Sequence, residues 1–333
     1  MKTKILKVDD NKENIKIAAE LLKQGEVVAF PTETVYGLGA DATNERAVNK
    51  IFEAKGRPSD NPLIVHVATK EQLFDLVINV KPYVERLIDT FSPGPITFVL
   101  NSRGKVAENV TAGLKTVAVR IPNHPVALSI LSACNLPIAA PSANLSGRPS
   151  PTSAKHVFDD LNGKIAAILD GGSSEVGLES TVVDCTGERP VILRTGKITE
   201  EDIEKVIHVQ EVEVQDGQTE KPKSPGLKYK HYAPEIPLYL IESNKEIQQV
   251  IDEEKDKGNR VGALVNDLTA KKIKADRIVS IGVDEEEIAA NLYEALRSFK
   301  KIDVDVIICE TFSTDNVGKA VMDRIRRAAS KIV

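Results

Sequence analysis

The chain has 333 residues, 41% hydrophobic and 28% charged, the balance of a folded globular protein long enough for two domains. Its formal net charge of -5 excludes a global basic field for nucleic acid, while a local basic cleft stays open. Cys134, Cys185 and Cys309 lie far apart in apolar surroundings with no C-x-x-C or Cys/His cluster, which argues against structural zinc and for reduced thiols. No secretory h-region and no apolar run of membrane-spanning length occur, so the expectation is a cytoplasmic protein without membrane contact.

Residues 12–24 carry Ile15, Ala18, Ala19 and Leu22 at helical spacing and stop at Gly25. EVVAF, ending at Phe30, reads as a strand. FPTETVYGLGADA, residues 30–42, then leaves it as a flexible small-residue turn. Its alternation turns Thr32, Thr34 and Tyr36 toward one pocket, and Gly37 and Gly39 let the backbone pass close to a ligand. Asn44 caps a helix with Ala47, Val48, Ile51 and Phe52 on one face, closing at Gly56. PLIVHV, PITFVL, TVAVRI, LPIAA, AAILD, STVVDC and PVILR read as strands, with helices near 70–91, 124–134 and 152–161. Several connections are too short for a helix, so the sheet is expected to be mixed.

From 206 the pattern breaks into an acidic, polar, Pro-containing stretch and then SPGLKYKHYAP, residues 224–234. Pure spacers avoid aromatics, so Lys228, Tyr229, Lys230, His231 and Tyr232 mark either a domain-docking strap or a linker that folds back to stack on a ligand. Strand PLYLI, helix 243–257, strands RVGALV and RIVSI, helix 284–300, strand DVDVIICE and helix 317–331 follow, a small parallel sheet of Rossmann-like layout without G-x-G-x-x-G. The expected organisation is 1–205, a linker over 206–235, and 236–333.

No P-loop, H-E-x-x-H, G-x-S-x-G or kinase signature occurs, and none of the five histidines (His66, His124, His156, His208, His231) sits beside a nucleophile motif. Lys55 and Arg57 end a helix and enter a turn with Pro58, Asn61 and Pro62. A cation pair complementing the helix dipole would explain them, and so would a phosphate site. His66 in PLIVHV is a core histidine or a ligand contact. Arg120, on the face of Thr116 and Ala118, needs a paired anion, either a structural carboxylate or a bound one. APSANLSGRPS, residues 140–150, repeats the strand-to-turn layout with Ser142 and Asn144 on one side, a plain turn or an oxygen-and-amide cradle. Ser180 at a strand entrance and Arg194 at a strand exit add weaker hints. Hydroxyls and cations at strand ends, without a covalent nucleophile, suit attack of a small anion on a phosphate.

Taken in order, PTETVYGLGADA, KGRPSDNPL, SPGPIT, VAVRIPNHP, APSANLSGRPS, ESTVVDC and LRTG resemble the YrdC-type core of the L-threonylcarbamoyladenylate synthase family. SPGLKYKHYAP and the tail resemble its two-domain form. The resemblance implies an α/β fold: a YrdC-like twisted mixed sheet with flanking helices and a concave cavity, a linker, and a small Rossmann-like domain. It implies a nucleotidyltransferase that makes L-threonylcarbamoyladenylate and pyrophosphate from L-threonine, bicarbonate and ATP, with Mg²⁺ accompanying the ATP. The product would serve threonylcarbamoyladenosine formation next to the tRNA anticodon through separate downstream proteins. The cavity would resemble a double-stranded RNA-binding surface, which leaves a weak RNA or tRNA contact open. By the same resemblance, Lys55, Arg57, Ser142 and Asn144 form a polar tetrad on the phosphates. Arg57, Asn61, Thr116, Ser142, Ser150 and Arg194 contact ATP, and Tyr232 reaches it from the linker. Thr34, His66, Arg120, the Ala140 backbone and Ser180 bind threonine.

Overall fold

The computed structural model describes residues 2–8, 12–207, 212–214, 231–242 and 245–333. The predicted linker stretches 208–211 and 215–230, with His208, Lys228, Tyr229 and Lys230, lie outside the described residues. The described residues fall into two units. The first takes those of Met1–Ser146, Pro151–Glu175 and Glu179–Lys228, the second those of Gly147–Ser150, Val176–Leu178 and Tyr229–Val333.

A twelve-stranded mixed sheet carries the first unit. In spatial order its strands are Lys4–Lys7, Ala167–Asp170, Val28–Phe30, Gly37–Asp41, Ile138–Ala139, Ile64–His66, Thr116–Arg120, Ile96–Ser102, Thr181–Asp184, Val191–Arg194 and Glu213–Val214, with Val77–Ile78 beside Ile96–Ser102. Parallel pairs such as Ile64–His66 with Thr116–Arg120 mix with antiparallel ones such as Ile96–Ser102 with Thr116–Arg120, as the short connections require. Side-chain alternation sorts residues to two faces. Val117 and Val119 enter a large core with Leu38, Ile51 and Val65, while Ala118 joins a smaller cluster with Ile64, Val99, Val182 and Leu193.

The helix Glu13–Lys23 buries Ile15, Ala18, Ala19 and Leu22, as its spacing predicts. The helix Glu45–Lys55 starts at Asn44, whose side chain accepts from the Arg46 and Ala47 amides, and stops at Gly56 with φ 61°, a left-handed angle that costs glycine no Cβ clash.

GLGAD is not a flexible turn. Gly37–Asp41 is a fully buried strand, paired with Val28–Phe30 on one side and Ile138–Ala139 on the other. Its small residues answer packing, not a ligand: a Cβ on Gly39 would sit 2.7 Å from Phe30 Cε1 and 2.9 Å from Ile138 Cγ2. The single helix expected near 70–91 is two, Lys70–Leu76 and Pro82–Phe91, around the strand Val77–Ile78. The β-branched pair, Asn79 at φ 56° and Pro82 at the start of the second helix account for the break. The strands Lys4–Lys7 and Lys331–Ile332 escape the sequence reading because they are short sheet edges whose lysines mask the apolar period.

The second unit has five strands in the order Arg277–Ser280, Val261–Val265, Val306–Cys309, Leu238–Leu240 and Lys331–Ile332, every pair parallel. Helices Ile247–Asp256, Glu285–Ser298 and Asn316–Ala328 complete the Rossmann-like layout expected there. Among the described residues, no helix is long and apolar enough to cross a membrane.

Candidate functional site

The Ser-Ala-Asn turn is held from two directions. The Gly37–Ser142 bridge, with Leu38 N donating to the Pro141 carbonyl (2.7 Å) and Ala143 N to the Tyr36 carbonyl (2.8 Å), fastens it to the sheet. Lys55 fastens it from the helix end. Its ammonium group, on a residue only 3% exposed, donates to the Ser142 carbonyl at 2.5 Å and the Asn144 carbonyl at 2.7 Å, with Asn144 Oδ1 at 3.4 Å. Ser146 N returns a bond to the Lys55 carbonyl. The structure thus brings together Lys55, Ser142 and Asn144, and it gives Lys55 a framework role beside any contact with phosphate. Arg57 emerges two residues later, half-buried, with Nη2 3.4 Å from the Asn61 carbonyl and 3.5 Å from that of Pro62. Asn61 is fully buried, and neither Oδ1 nor Nδ2 is hydrogen-bonded among the described residues. A buried amide with unmet bonds is costly unless a ligand meets them.

A second corner forms around Arg120, where sequence left a structural or a bound anion open. Nε donates to the Gly94 carbonyl (3.2 Å), Nη1 donates to Thr34 Oγ1 (2.8 Å), and Nη2 approaches Glu33 Oε1 at 2.6 Å. The last contact is an ion pair whose N–H direction misses the oxygen, since Nη2 makes no hydrogen bond among the described residues. Glu33 Oε1 also accepts from Asn123 N. Thr34 Oγ1 lies 2.8 Å from Thr32 Oγ1, which donates to the Val35 carbonyl. His66 pairs in register with Arg120 on the adjacent strand. Burial first, then the Arg120 charge, lowers its pKa from 6.5 to about 3, so the imidazole is neutral near pH 7, and its Nδ1 has no partner among the described residues. The Ala140 amide is already donated to the Ile64 carbonyl, which leaves the carbonyl as the backbone group it could offer.

A third cluster joins two residues that sequence had assigned to different ligands. Arg194 Nε donates to the Ser180 carbonyl (3.0 Å) and Nη2 to Ser180 Oγ (3.2 Å), while Ser180 Oγ lies 2.8 Å from Thr97 Oγ1. Thr116 opens its strand half-buried, opposite Asn101.

Not every expectation fits. Tyr36 does not face a pocket with Thr32 and Thr34: its ring is fully buried in the main core and its hydroxyl donates to the Gly172 carbonyl at 2.6 Å. Ser150 and Tyr232 belong to the second unit. There Tyr232, with φ 65°, stacks on Tyr293 at a centroid distance of 5.6 Å and lies under Arg324 at 5.7 Å. An open cavity of about 510 Å³ lined by Asn79, Asn101, Ser102, Glu108 and Lys115, among others, includes none of the predicted site residues. Sequence reasoning placed Thr32 with Thr34, as the structure does, and missed Glu33 and Thr97. Thr97 keeps period two with Val99, so alternation was its available signal, whereas Glu33 falls between the alternating hydroxyls and carried none.

A family described as "Telomere recombination" matches residues 20–196, and one described as "Threonylcarbamoyl-AMP synthase, C-terminal domain" matches residues 198–330. The chain is 51% identical to a threonylcarbamoyl-AMP synthase of Bacillus subtilis, over 99% of this chain and 98% of that one. It is 46% identical to one of Pyrococcus abyssi, over 95% and 94%. The crystal structure of P. abyssi Sua5 complexed with L-threonine superposes with a TM-score of 0.93 at 43% identity, covering 100% of each chain.

Proposed function

The chain belongs to the two-domain threonylcarbamoyl-AMP synthase family, and from that premise we propose how its residues divide the work of joining L-threonine, bicarbonate and ATP. The enzyme is a nucleotidyltransferase that makes L-threonylcarbamoyladenylate and pyrophosphate for threonylcarbamoyladenosine modification of tRNA. The observation that carries the assignment of roles is the set of buried polar atoms with no hydrogen-bond partner among the described residues, on His66, on Asn61 and on Glu33 Oε2, the last in the carboxylate ion-paired with Arg120. An apolar core gains nothing from such atoms, and substrates that complete them are stabilised by the same interactions.

Arg120, with Thr34 and neutral His66, takes the threonine carboxylate and side chain. The relative solved with L-threonine supports this choice of substrate. The threonine amine and bicarbonate condense to a carbamate with loss of water. A carbamate oxygen then bonds to the α-phosphorus of ATP, the bond to the bridging oxygen of the β-phosphate breaks, and pyrophosphate departs. Negative charge grows on phosphate oxygens during that step. Arg57, Arg194 and the Ser142 and Asn144 side chains are assigned to meet it, supported by the hold of Lys55 on the turn that carries the last two. Interactions that strengthen as the charge develops raise the rate rather than the affinity alone. Asn61, Thr116, Ser150 and Tyr232 are assigned to the nucleotide, and the Ala140 carbonyl and Ser180 to threonine.

Mg²⁺ is proposed to arrive on the triphosphate. The residues around the turn are a lysine, an arginine and amides, and among the described residues no group of three His, Cys, Asp or Glu side chains stands together to hold a metal. The product passes to separate proteins that act on tRNA, and the reaction is assigned to the cytoplasm. The test is pyrophosphate release. It should require threonine, bicarbonate and ATP together, and ATP turnover indifferent to threonine would overturn the assignment.

A further inference from the structure

Arg120 and Glu33 form a charge pair deep in the first unit, 3% and 6% exposed. The pair is unusual in what it leaves unfinished. A guanidinium carries five N–H donors, and Arg120 uses two of them on Gly94 and Thr34. Its Nη2 makes no hydrogen bond among the described residues, although it lies 2.6 Å from Glu33 Oε1. Glu33 uses Oε1 for both the ion pair and the Asn123 amide, and its Oε2 is buried with no partner among the described residues. A purely structural buried pair is worth keeping only when the remaining lone pairs and protons are also satisfied. Here the guanidinium keeps unspent N–H donors and the carboxylate one unmet oxygen, Oε2.

We propose that Arg120 and Glu33 together are a receptor for the zwitterion of an α-amino acid, Arg120 taking its carboxylate and Glu33 Oε2 its ammonium group. The inference rests on the threonine reading given above and adds to it the partner of the amine. The charges agree. His66, the titratable group paired with Arg120 across the sheet, is neutral near pH 7, and His124, which lies close enough to feel the Glu33 charge, has its pKa lowered by burial and is neutral there too. Arg120 and Glu33 therefore cancel, and the corner has no net charge to attract a simple anion. A ligand with both charges meets the unspent donors of Arg120 and Glu33 Oε2 alike, whereas a plain carboxylate meets Arg120 and leaves Glu33 Oε2 buried and unmet. Glu33 thus selects amino acids over hydroxy acids and simple carboxylates.

The test compares L-threonine with (R)-3-hydroxybutyrate, which keeps the carboxylate, hydroxyl and methyl groups and lacks the amine. Binding of each is measured by calorimetry to the full-length wild-type protein and to Glu33→Gln, which retains an oxygen for Asn123 N. Wild type should prefer threonine by roughly 10- to 100-fold, the range of one hydrogen bond to a charged group. In Glu33→Gln that preference should collapse, with threonine weaker and 3-hydroxybutyrate unchanged or tighter because Arg120 loses its counter-charge. Equal loss of both ligands would reduce Glu33 to a support for Arg120 and overturn the proposal, as would an unchanged preference. If Glu33→Gln fails to fold, Glu33→Asp decides: a shortened carboxylate should lower the preference without reversing it, and full retention overturns the ammonium role. Should wild type bind neither ligand, the threonine reading itself falls. Wild type that binds both equally leaves that reading standing and overturns this one.

Discussion

Replacing Lys55 with methionine keeps the stem and removes the ammonium group that joins the helix Glu45–Lys55 to the Ser-Ala-Asn turn. Two carbonyls, at 2.5 and 2.7 Å from Nζ, lose a charged donor. A hydrogen bond to a charged group is worth about 1.5–3 kcal/mol, so the two together suggest a loss of roughly 3–6 kcal/mol. In a unit of this size each kcal/mol moves the melting temperature by about 2–4 °C, so Lys55→Met should melt roughly 6–24 °C lower. Thermal melts followed by circular dichroism measure this, with pyrophosphate release recorded on the same samples at a temperature where both proteins are folded. Activity should also fall, because Ser142 and Asn144 lose their support. An unchanged melting temperature with activity abolished would refute the framework role and make Lys55 a phosphate ligand alone.

Arg57→Ala should lose on the order of 10²- to 10³-fold in kcat/KM while melting within a few degrees of wild type, because Arg57 lies half-buried on a turn; unfolding instead would mark it as structural. Gly39→Ala should cost about 1–3 kcal/mol in urea denaturation through overlap with Phe30 and Ile138, and adding Phe30→Leu should recover part of that loss; stability equal to wild type would refute the packing account of this glycine. His66 has its pKa lowered to about 3 in the fold against 6.5 unfolded, so the unfolded chain binds more protons between those values. The stability its neutral form contributes is complete above about pH 6.5 and is lost as pH falls toward 3, a span worth on the order of a few kcal/mol. His66→Gln should therefore flatten the acid limb of the stability profile, and an identical limb in the variant would show that other groups govern it.

What the sequence revealed depended on how local each feature is. Alternation in TVAVR placed Arg120 on the face of Ala118, and Asn44 and Gly56 announced both ends of a helix, because spacing and caps are written in neighbouring residues. The strand Gly37–Asp41 was mistaken for a turn since its glycines answer a ring, Phe30, that reaches it across strand pairing. Tyr36 looks like a pocket hydroxyl by alternation, but it lies in the irregular stretch between the strands Val28–Phe30 and Gly37–Asp41, where period two does not hold. Lys55 was read as a phosphate ligand like Arg57. Only the fold shows its ammonium on two carbonyls of a turn remote in sequence. Glu33 escapes the sequence for the same reason, its partner Arg120 lying on a strand that no local pattern joins to it.

The most direct measurement supplies ¹³C-bicarbonate with L-threonine and ATP and follows the products by mass spectrometry. The account predicts an adenylate of threonine carrying the label in its carbamoyl carbon, formed together with pyrophosphate and missing when threonine is withheld. Threonine left unmodified while ATP is converted, or an adenylate without the label, would contradict it.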